Sequence, residues 1–316
     1  MKKKSLIFFL MGPTAIGKSS LAIALKKKFT QLEIISVDSK LVYKGLNIGT
    51  DKPSVELLKK FPHRLIDICQ PFERYSVAKF YRDVHREIKN IILEHKVPLL
   101  VGGTMLYFKI LLEGLSILPS SNFVIQKYIF EILCHSKREL LYQRLKNFDP
   151  IMSKKIHCHD VQRILRVLEV CYVTGKKFSD FLIAKKNIFP YTVVQLGLFP
   201  KNKLELFKKI TIRFEKMLEK GLEKEVKDLF FLKNIDLSLP SLNSIGYKDM
   251  FLYLQKKITY QTMYNNILCS TRRLVKHQLT WLKNWRGLIH IEVECVKITE
   301  NFLKKFFLKY FKILKI

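Results

Sequence analysis

Seven residues, Ser5 to Met11 (SLIFFLM), all but the first apolar, stand between a lysine-rich start and Gly12-Pro13. A run this short, closed by turn residues, predicts a strand buried on both faces rather than a helix. The same pattern recurs at residues 32–37 (LEIISV, ending on Asp38) and 97–101 (VPLLV, ending on Gly102-Gly103-Thr104). It returns at residues 191–198 (YTVVQLGL). Between these runs the apolar period lengthens to three or four, in LAIAL at 21–25 and across residues 77–93, which predicts helices. Buried strands alternating with helices imply a parallel α/β sheet. Ligands of such sheets sit at the carboxyl ends of the strands, so the segments after the first three strands are expected to share one cleft.

From residue 118 to 190 no strand is evident, and charged and apolar residues interleave at helical spacing, as in QRILRVLEV at 162–170. We expect an inserted all-helical domain at 118–190, set into a core made of residues 1–117 and 191–316. The pattern is helical again from 200 to about 285. Residues 302–316 read as a lysine-rich amphipathic helix, expected to cover the core rather than to anchor in a membrane.

The first strand runs directly into GPTAIGKSS at 12–20, which has the G-x-x-x-x-G-K-[ST] spacing of a phosphate loop. Its glycines permit a tight turn in which several backbone N–H groups converge on an anion at a helix N-terminus. Lys18 adds a positive charge, and the Ser19 hydroxyl can ligate Mg²⁺. The expected fold is therefore a P-loop NTPase-like parallel sheet flanked by helices. A basic start followed by an apolar run imitates a secretory signal, but the run is too short and leads into the loop, so none is expected.

Composition narrows the classes. The chain has 316 residues, 48% hydrophobic and 27% charged, enough for a large core and a smaller domain. No apolar run reaches membrane-spanning length. The six cysteines lack C-x-x-C pairing, which points to a reducing compartment, the cytoplasm, without disulfides or zinc. The balance of 57 basic to 27 acidic residues, net +30, favours a polyanionic partner. Only 12 of the basic residues are Arg, so a lysine-favouring coding bias is an alternative source of the excess.

Other candidate positions are ambiguous by residue type. Asp38 can bind metal, accept a proton or cap a helix. Thr104 can offer its hydroxyl to the cleft or cap the next helix. The third strand lacks the terminal acid of a Walker B element, and no guanine signature occurs, which counts against an ordinary ATPase or GTPase. His157-Cys158-His159-Asp160 is spaced too tightly for a tetrahedral zinc site. Gln162, Arg163 and Arg166 share a helix face that is either solvated or phosphate-contacting. Basic and aromatic residues mix from Thr271 to Lys283 in a manner suited to RNA.

Taken together, GPTAIGKS at 12–19, DSKLVYKGLNIGTDKP at 38–53, HRLIDI at 63–68, YSVAKF at 75–80, VGGTMLYFKILLEGLSILP at 101–119, IHCHDVQRILRVLEV at 156–170, SIGYKDM at 244–250 and KHQLTWLKNW at 276–285 resemble the bacterial tRNA dimethylallyltransferases. The resemblance implies transfer of a dimethylallyl group from its diphosphate to N6 of the adenosine beside the tRNA anticodon; a monomer using Mg²⁺ at Ser19 is expected. It implies that Gly12, Pro13, Thr14, Ala15, Ile16, Gly17, Lys18 and Ser19 hold the diphosphate with Arg213, and that Asp38 and Thr104 act on the adenine nitrogen. It implies contacts to the anticodon stem-loop from Asp38, Ser39, Lys40, Leu41, Thr104, Gln126, Gln162, Arg163, Ile164, Leu165 and Arg166. Further contacts would come from Asn243, Ser244, Ile245, Gly246, Tyr247, Lys248, Lys276, His277, Gln278, Leu279, Thr280, Trp281, Leu282 and Lys283. The chain departs from the family at Lys44, Lys248, His277 and Lys283, where Arg is usual, at Asn47 for Asp, and at Gln126 for Arg. The rival reading is a small-molecule kinase of nucleoside or shikimate type on the same core.

Overall fold

Six parallel strands form one sheet in the order β3-β2-β4-β1-β5-β6 in the computed structural model, which describes residues 5–116, 118–119, 121–134, 138–183, 189–230 and 239–314. The first part of the chain runs β1 (Leu6–Met11), α1 (Lys18–Lys28), β2 (Leu32–Val37), α2 (Val55–Lys60), β3 (His63–Arg64), α3 (Val77–Leu93), β4 (Val97–Gly102) and α4 (Met105–Glu113). Then come five helices, α5 (Phe123–Cys134), α6 (Arg138–Phe148), α7 (Pro150–Lys155), α8 (Val161–Thr174) and α9 (Phe178–Ile183). The chain returns as β5 (Thr192–Pro200), α10 (Lys203–Glu219), α11 (Leu222–Phe230), α12 (Tyr247–Leu254), α13 (Tyr260–Lys283), β6 (Ile289–Val293) and α14 (Val296–Leu314).

Every residue of β1, β2 and β4 is buried, as strands covered on both faces by helices must be. The aromatic residues of β1 key into those layers. Phe8 meets Phe307 of α14 with ring centroids 4.3 Å apart, and Phe9 meets Phe108 of α4 at 4.9 Å. Each fully buried side chain of this size contributes about 1.5–3 kcal/mol by leaving water. Helix starts follow local chemistry: Ser76, Asp149, Asp160, Asn202 and Thr259 each accept a backbone N–H from the first turn of their helix.

The register positions the site. Met11 pairs with Gly102, and Gly102 pairs with Val37, so Gly12, Gly103 and Asp38 emerge at the same sheet edge. After β1 the chain moves to β2, on one side; after β4 it moves to β5, on the other. The crevice between the ends of β1 and β4 is thus a topological switch point, where open α/β sheets bind ligands.

Two strands were not expected from sequence: the two-residue β3, and β6, which extends the sheet beyond β5. The C-terminal helix also begins earlier than residue 302, at Val296.

The chain divides into two compact units, residues 1–111 with 190–316, and residues 112–189. The second is an all-helical bundle with its own core, including Leu141, Leu145, Ile164, Val167 and Leu168. Its first residue falls six positions before the 118 expected from sequence.

Candidate active site

Between β1 and α1 the loop turns on residues in the left-handed region: Ala15 at φ 62° and Gly17 at φ 98°. Gly17 fits this without strain, and it caps α1. Its Cα also faces Val296 at the start of α14, where an added Cβ would come within 2.9 Å. Among the described residues the N–H groups of Ala15, Ile16 and Gly17 make no hydrogen bond, which leaves them for an anion. Lys18 folds back across this loop and donates from Nζ to the Pro13 carbonyl at 2.6 Å. Enclosure of the ammonium lowers its pKa to about 7, the Asp38 carboxylate working against the shift and Arg213 adding to it.

Asp38, directly after β2, turns one oxygen inward on its own chain. Oδ1 accepts from Lys40 N at 2.7 Å and Leu41 N at 3.2 Å. Lys40 is anchored in turn by Nζ donating to the Pro240 carbonyl at 2.5 Å, and burial lowers its pKa. Thr104, after β4, precedes α4, with its carbonyl accepting Tyr107 N at 2.9 Å.

From the opposite side α10 delivers Arg213. Its Nη1 donates to Thr14 Oγ1 at 2.6 Å, and Nε lies 3.0 Å from Asp51 Oδ2 without the alignment of a hydrogen bond. The loop bearing Asp51 is gripped by Glu225 of α11. That carboxylate accepts the N–H groups of Asn47, Ile48 and Gly49 at 2.8–3.1 Å and the Tyr247 hydroxyl at 2.6 Å. This chain of contacts, Glu225 to loop 47–51 to Arg213 to Thr14, was not anticipated from sequence.

These groups line one cavity of about 480 Å³. Thr14, Lys18, Asp38, Ser39, Lys40, Thr104 and Arg213 form its polar side with Asn243, Ser244, His277 and Gln278. Met105, Leu106, Ile210, Phe214, Met217, Ile245, Ile267, Leu274 and Trp281 form an apolar wall. A polyanion head and an apolar tail thus both have complementary surface.

The remaining expected residues divide by burial and engagement. Tyr247, Leu279 and Leu282 are buried and carry their helices, and Ile164 does so in the helical unit. Lys248, Lys276, Thr280 and Lys283 are exposed, as are Gln162 and Arg163. Gln126 and Arg166 are engaged inside the helical unit by the fully buried Glu169. Gln126 Nε2 and Arg166 Nη1 each donate to Glu169 Oε2 at 2.7 Å, and Asn122 N donates to Oε1. Ser19, exposed on the first turn of α1, has a hydroxyl with no hydrogen-bond partner among the described residues. An uncommitted hydroxyl beside a phosphate-binding turn suits a hard cation that keeps most of its waters and takes its other ligands from diphosphate oxygens. His157, Cys158 and His159 bring donor atoms within 4.8 Å of one another on the surface of the helical unit.

Fold and cavity together define a phosphate-loop α/β protein whose loop borders a cavity with one polar side and one apolar wall. The sequence model of the IPP transferase family matches residues 41–285, and the chain belongs to that family. It is 57% identical over 293 residues to a tRNA dimethylallyltransferase of Buchnera aphidicola subsp. Cinara cedri, covering 92% of this chain and 94% of that protein. To the tRNA dimethylallyltransferase of Buchnera aphidicola subsp. Baizongia pistaciae it is 50% identical, covering 90% and 88%. A crystal structure of a full-length tRNA isopentenylpyrophosphate transferase from Bacillus halodurans superposes with TM-score 0.69 at 29% identity, covering 99% of this chain and 100% of that one. A eukaryotic dimethylallyltransferase, described as acting on tRNA, gives TM-score 0.76 at 26% identity over 91% of this chain and 74% of its own.

Proposed function

We propose that the chain transfers a dimethylallyl group from dimethylallyl diphosphate to N6 of the adenosine adjacent to the anticodon, position 37, in tRNA. The observation that carries this reading is the shared cavity, in which Lys18, Arg213 and the phosphate loop face Asp38 and Thr104 beside an apolar wall. Family membership and the names of the relatives support it over the kinase alternative.

The allylic C1–O bond breaks with its electron pair leaving on diphosphate. That growing charge is met by the N–H groups of residues 15–17, the Lys18 ammonium and the Arg213 guanidinium, the two side chains being held at the loop by the Pro13 carbonyl and Thr14 Oγ1. Mg²⁺ held by Ser19 would neutralise further phosphate charge when bound. Adenine N6 forms the new N–C1 bond. Its lone pair is delocalised into the ring, so the nitrogen must be oriented and relieved of a proton. Asp38 accepts that proton, and Thr104 fixes the nitrogen by a second hydrogen bond. The apolar wall houses the methyl groups and keeps water from the allylic carbon. The adenine enters by leaving its stack, at a cost of about a few kcal/mol. Contacts from Ser39 to Leu41 and from the exposed residues Gln162, Arg163, Asn243, Lys248, Lys276, His277, Thr280 and Lys283 with the anticodon stem-loop offset that cost. The enzyme works as a monomer in the cytoplasm; no helix among the described residues is long and apolar enough to cross a membrane.

Incubation with unmodified tRNA and labelled dimethylallyl diphosphate, followed by nucleoside analysis, tests the proposal. Label in N6-isopentenyladenosine is expected. Thermal stabilisation by ATP with none by dimethylallyl diphosphate, and unlabelled tRNA, would return the kinase reading.

A further inference from the structure

Gln278 of α13 stitches together the two loops that flank the cavity. Its Oε1 accepts Thr14 N at 2.9 Å, and its Nε2 donates to the Gly103 carbonyl at 2.9 Å. The side chain is buried, 8% exposed, so both ends of the amide are committed inside the protein. A backbone bond from Gly12 N to the Gly102 carbonyl, 3.3 Å, ties the same loops at their roots. Gly103 must be glycine for this. A Cβ there would collide with Gln278 Nε2 and lie 3.1 Å from the Gly12 carbonyl oxygen.

We propose that Gln278 is a positioning residue for the transfer reaction, setting the span between the phosphate loop and the turn that carries Thr104. The inference rests on the function proposed above, in which one loop receives the departing diphosphate and the other orients the accepting nitrogen. Displacement at carbon requires the reacting atoms held at about 3–3.5 Å and aligned, and a slip of an ångström costs about a hundredfold in rate. The register of β1 and β4 fixes only where the loops begin. Beyond Gly12 and Gly103 the strand ladder no longer restrains them, and Gln278 supplies the missing brace. An amide suits the place because it offers an acceptor and a donor about 2 Å apart; a carboxylate has no donor, and a thioether has no donor and only a weak acceptor.

This role and the RNA contact implied by the family resemblance make opposite predictions. A residue that touches tRNA weakens tRNA binding when removed. A brace leaves that affinity in place and slows the chemical step. The test compares full-length wild type with Gln278→Met, which keeps the volume, and Gln278→Glu, which keeps the acceptor for Thr14 N but turns an oxygen toward the Gly103 carbonyl. Gly103→Ala disturbs the same brace from the other loop. For each, thermal midpoint, tRNA Kd, and single-turnover rate at saturating tRNA and dimethylallyl diphosphate are measured.

Single-turnover rates are expected to fall about 10- to 100-fold in all three variants, with tRNA Kd moving less than about twofold. Should Gln278→Met fail to fold, the Glu and Gly103→Ala variants carry the comparison. Undiminished rates in folded variants, or a loss wholly accounted for by weaker tRNA binding, would overturn the inference alone. Absence of product from wild type would overturn the proposed function, and this inference with it.

Discussion

Binding of the diphosphate donor should consume a proton, and the group that takes it up is Lys18. In the empty site its enclosed ammonium has a pKa lowered to about 7 from the ordinary 10.5. A diphosphate arriving against it stabilises the charged form and lifts the pKa well above the assay range. Above pH 7 the free protein holds a neutral amine, so binding must recruit a proton, and affinity falls as pH rises. The charged fraction at pH 7.5 is about a quarter and at pH 8.5 about 3%, so Kd should weaken about eightfold across that unit, near the 1.4 kcal/mol limit for one proton. Calorimetric titration of dimethylallyl diphosphate at pH 8 in buffers of different ionisation enthalpy should report uptake of about one proton. Lys18→Met removes the titrating group and serves as the reference for any titration of the donor itself. Stability follows with the opposite sense. Between pH 7 and 10.5 the unfolded chain holds this proton and the folded chain does not, so wild type gains stability relative to Lys18→Met as pH rises through that window. Identical pH slopes for Kd in wild type and Lys18→Met, with no proton uptake, would refute the assignment of Lys18 as the buried charge beside the donor.

Three further outcomes follow from other contacts. Asp38→Asn keeps the side-chain oxygen that receives Lys40 N and Leu41 N but not a base, so turnover should drop about 10²- to 10⁴-fold with tRNA Kd nearly unchanged; unaltered turnover would remove Asp38 from the chemistry. Glu225→Gln weakens the charge-assisted grip on loop 47–49, and denaturant unfolding should show a loss of about 1.5–3 kcal/mol together with poorer donor binding through Arg213; stability lost without any change in donor Kd would break that link. In the helical unit Glu169→Ala strands Arg166 beside an empty acceptor, and chemical denaturation should register about 3–5 kcal/mol of destabilisation, a value near zero contradicting the buried pairing.

How much of this was legible varies with the kind of interaction. Strands β1, β2 and β4 announced themselves because strands buried on both faces must be apolar throughout, and the phosphate loop did so by spacing. Strand β6, with IHIEV alternating between buried and exposed, carries only a weak five-residue signal and was passed over. Within the site, Lys18 was marked by the spacing of the phosphate loop and Asp38 by its place after β2, whereas Arg213 came only with the family resemblance. Residues that act on distant backbone were not visible as such. Glu225 sits in the run EKEVK, which reads as an ordinary solvated helix face, yet its partners are N–H groups from residues 47–49. Gln278 reads as an RNA contact by its neighbours, while its own partners, Thr14 and Gly103, lie far away in sequence. Gln126 and Arg166 likewise face Glu169, which no linear pattern marks as buried.

The packing of α14 on β1 and of Val296 on Gly17 has a consequence for biosynthesis. The glycine turn after β1 leaves the ribosome well before the aromatic side chains that seat its strand, Phe307 and Phe311. Throughout elongation Phe8 and its neighbours must therefore wait uncovered, which makes the nascent chain a candidate for chaperone holding. A message truncated shortly before the α14 codons would yield a product that carries every side chain lining the cavity and still lacks the surface that seats β1.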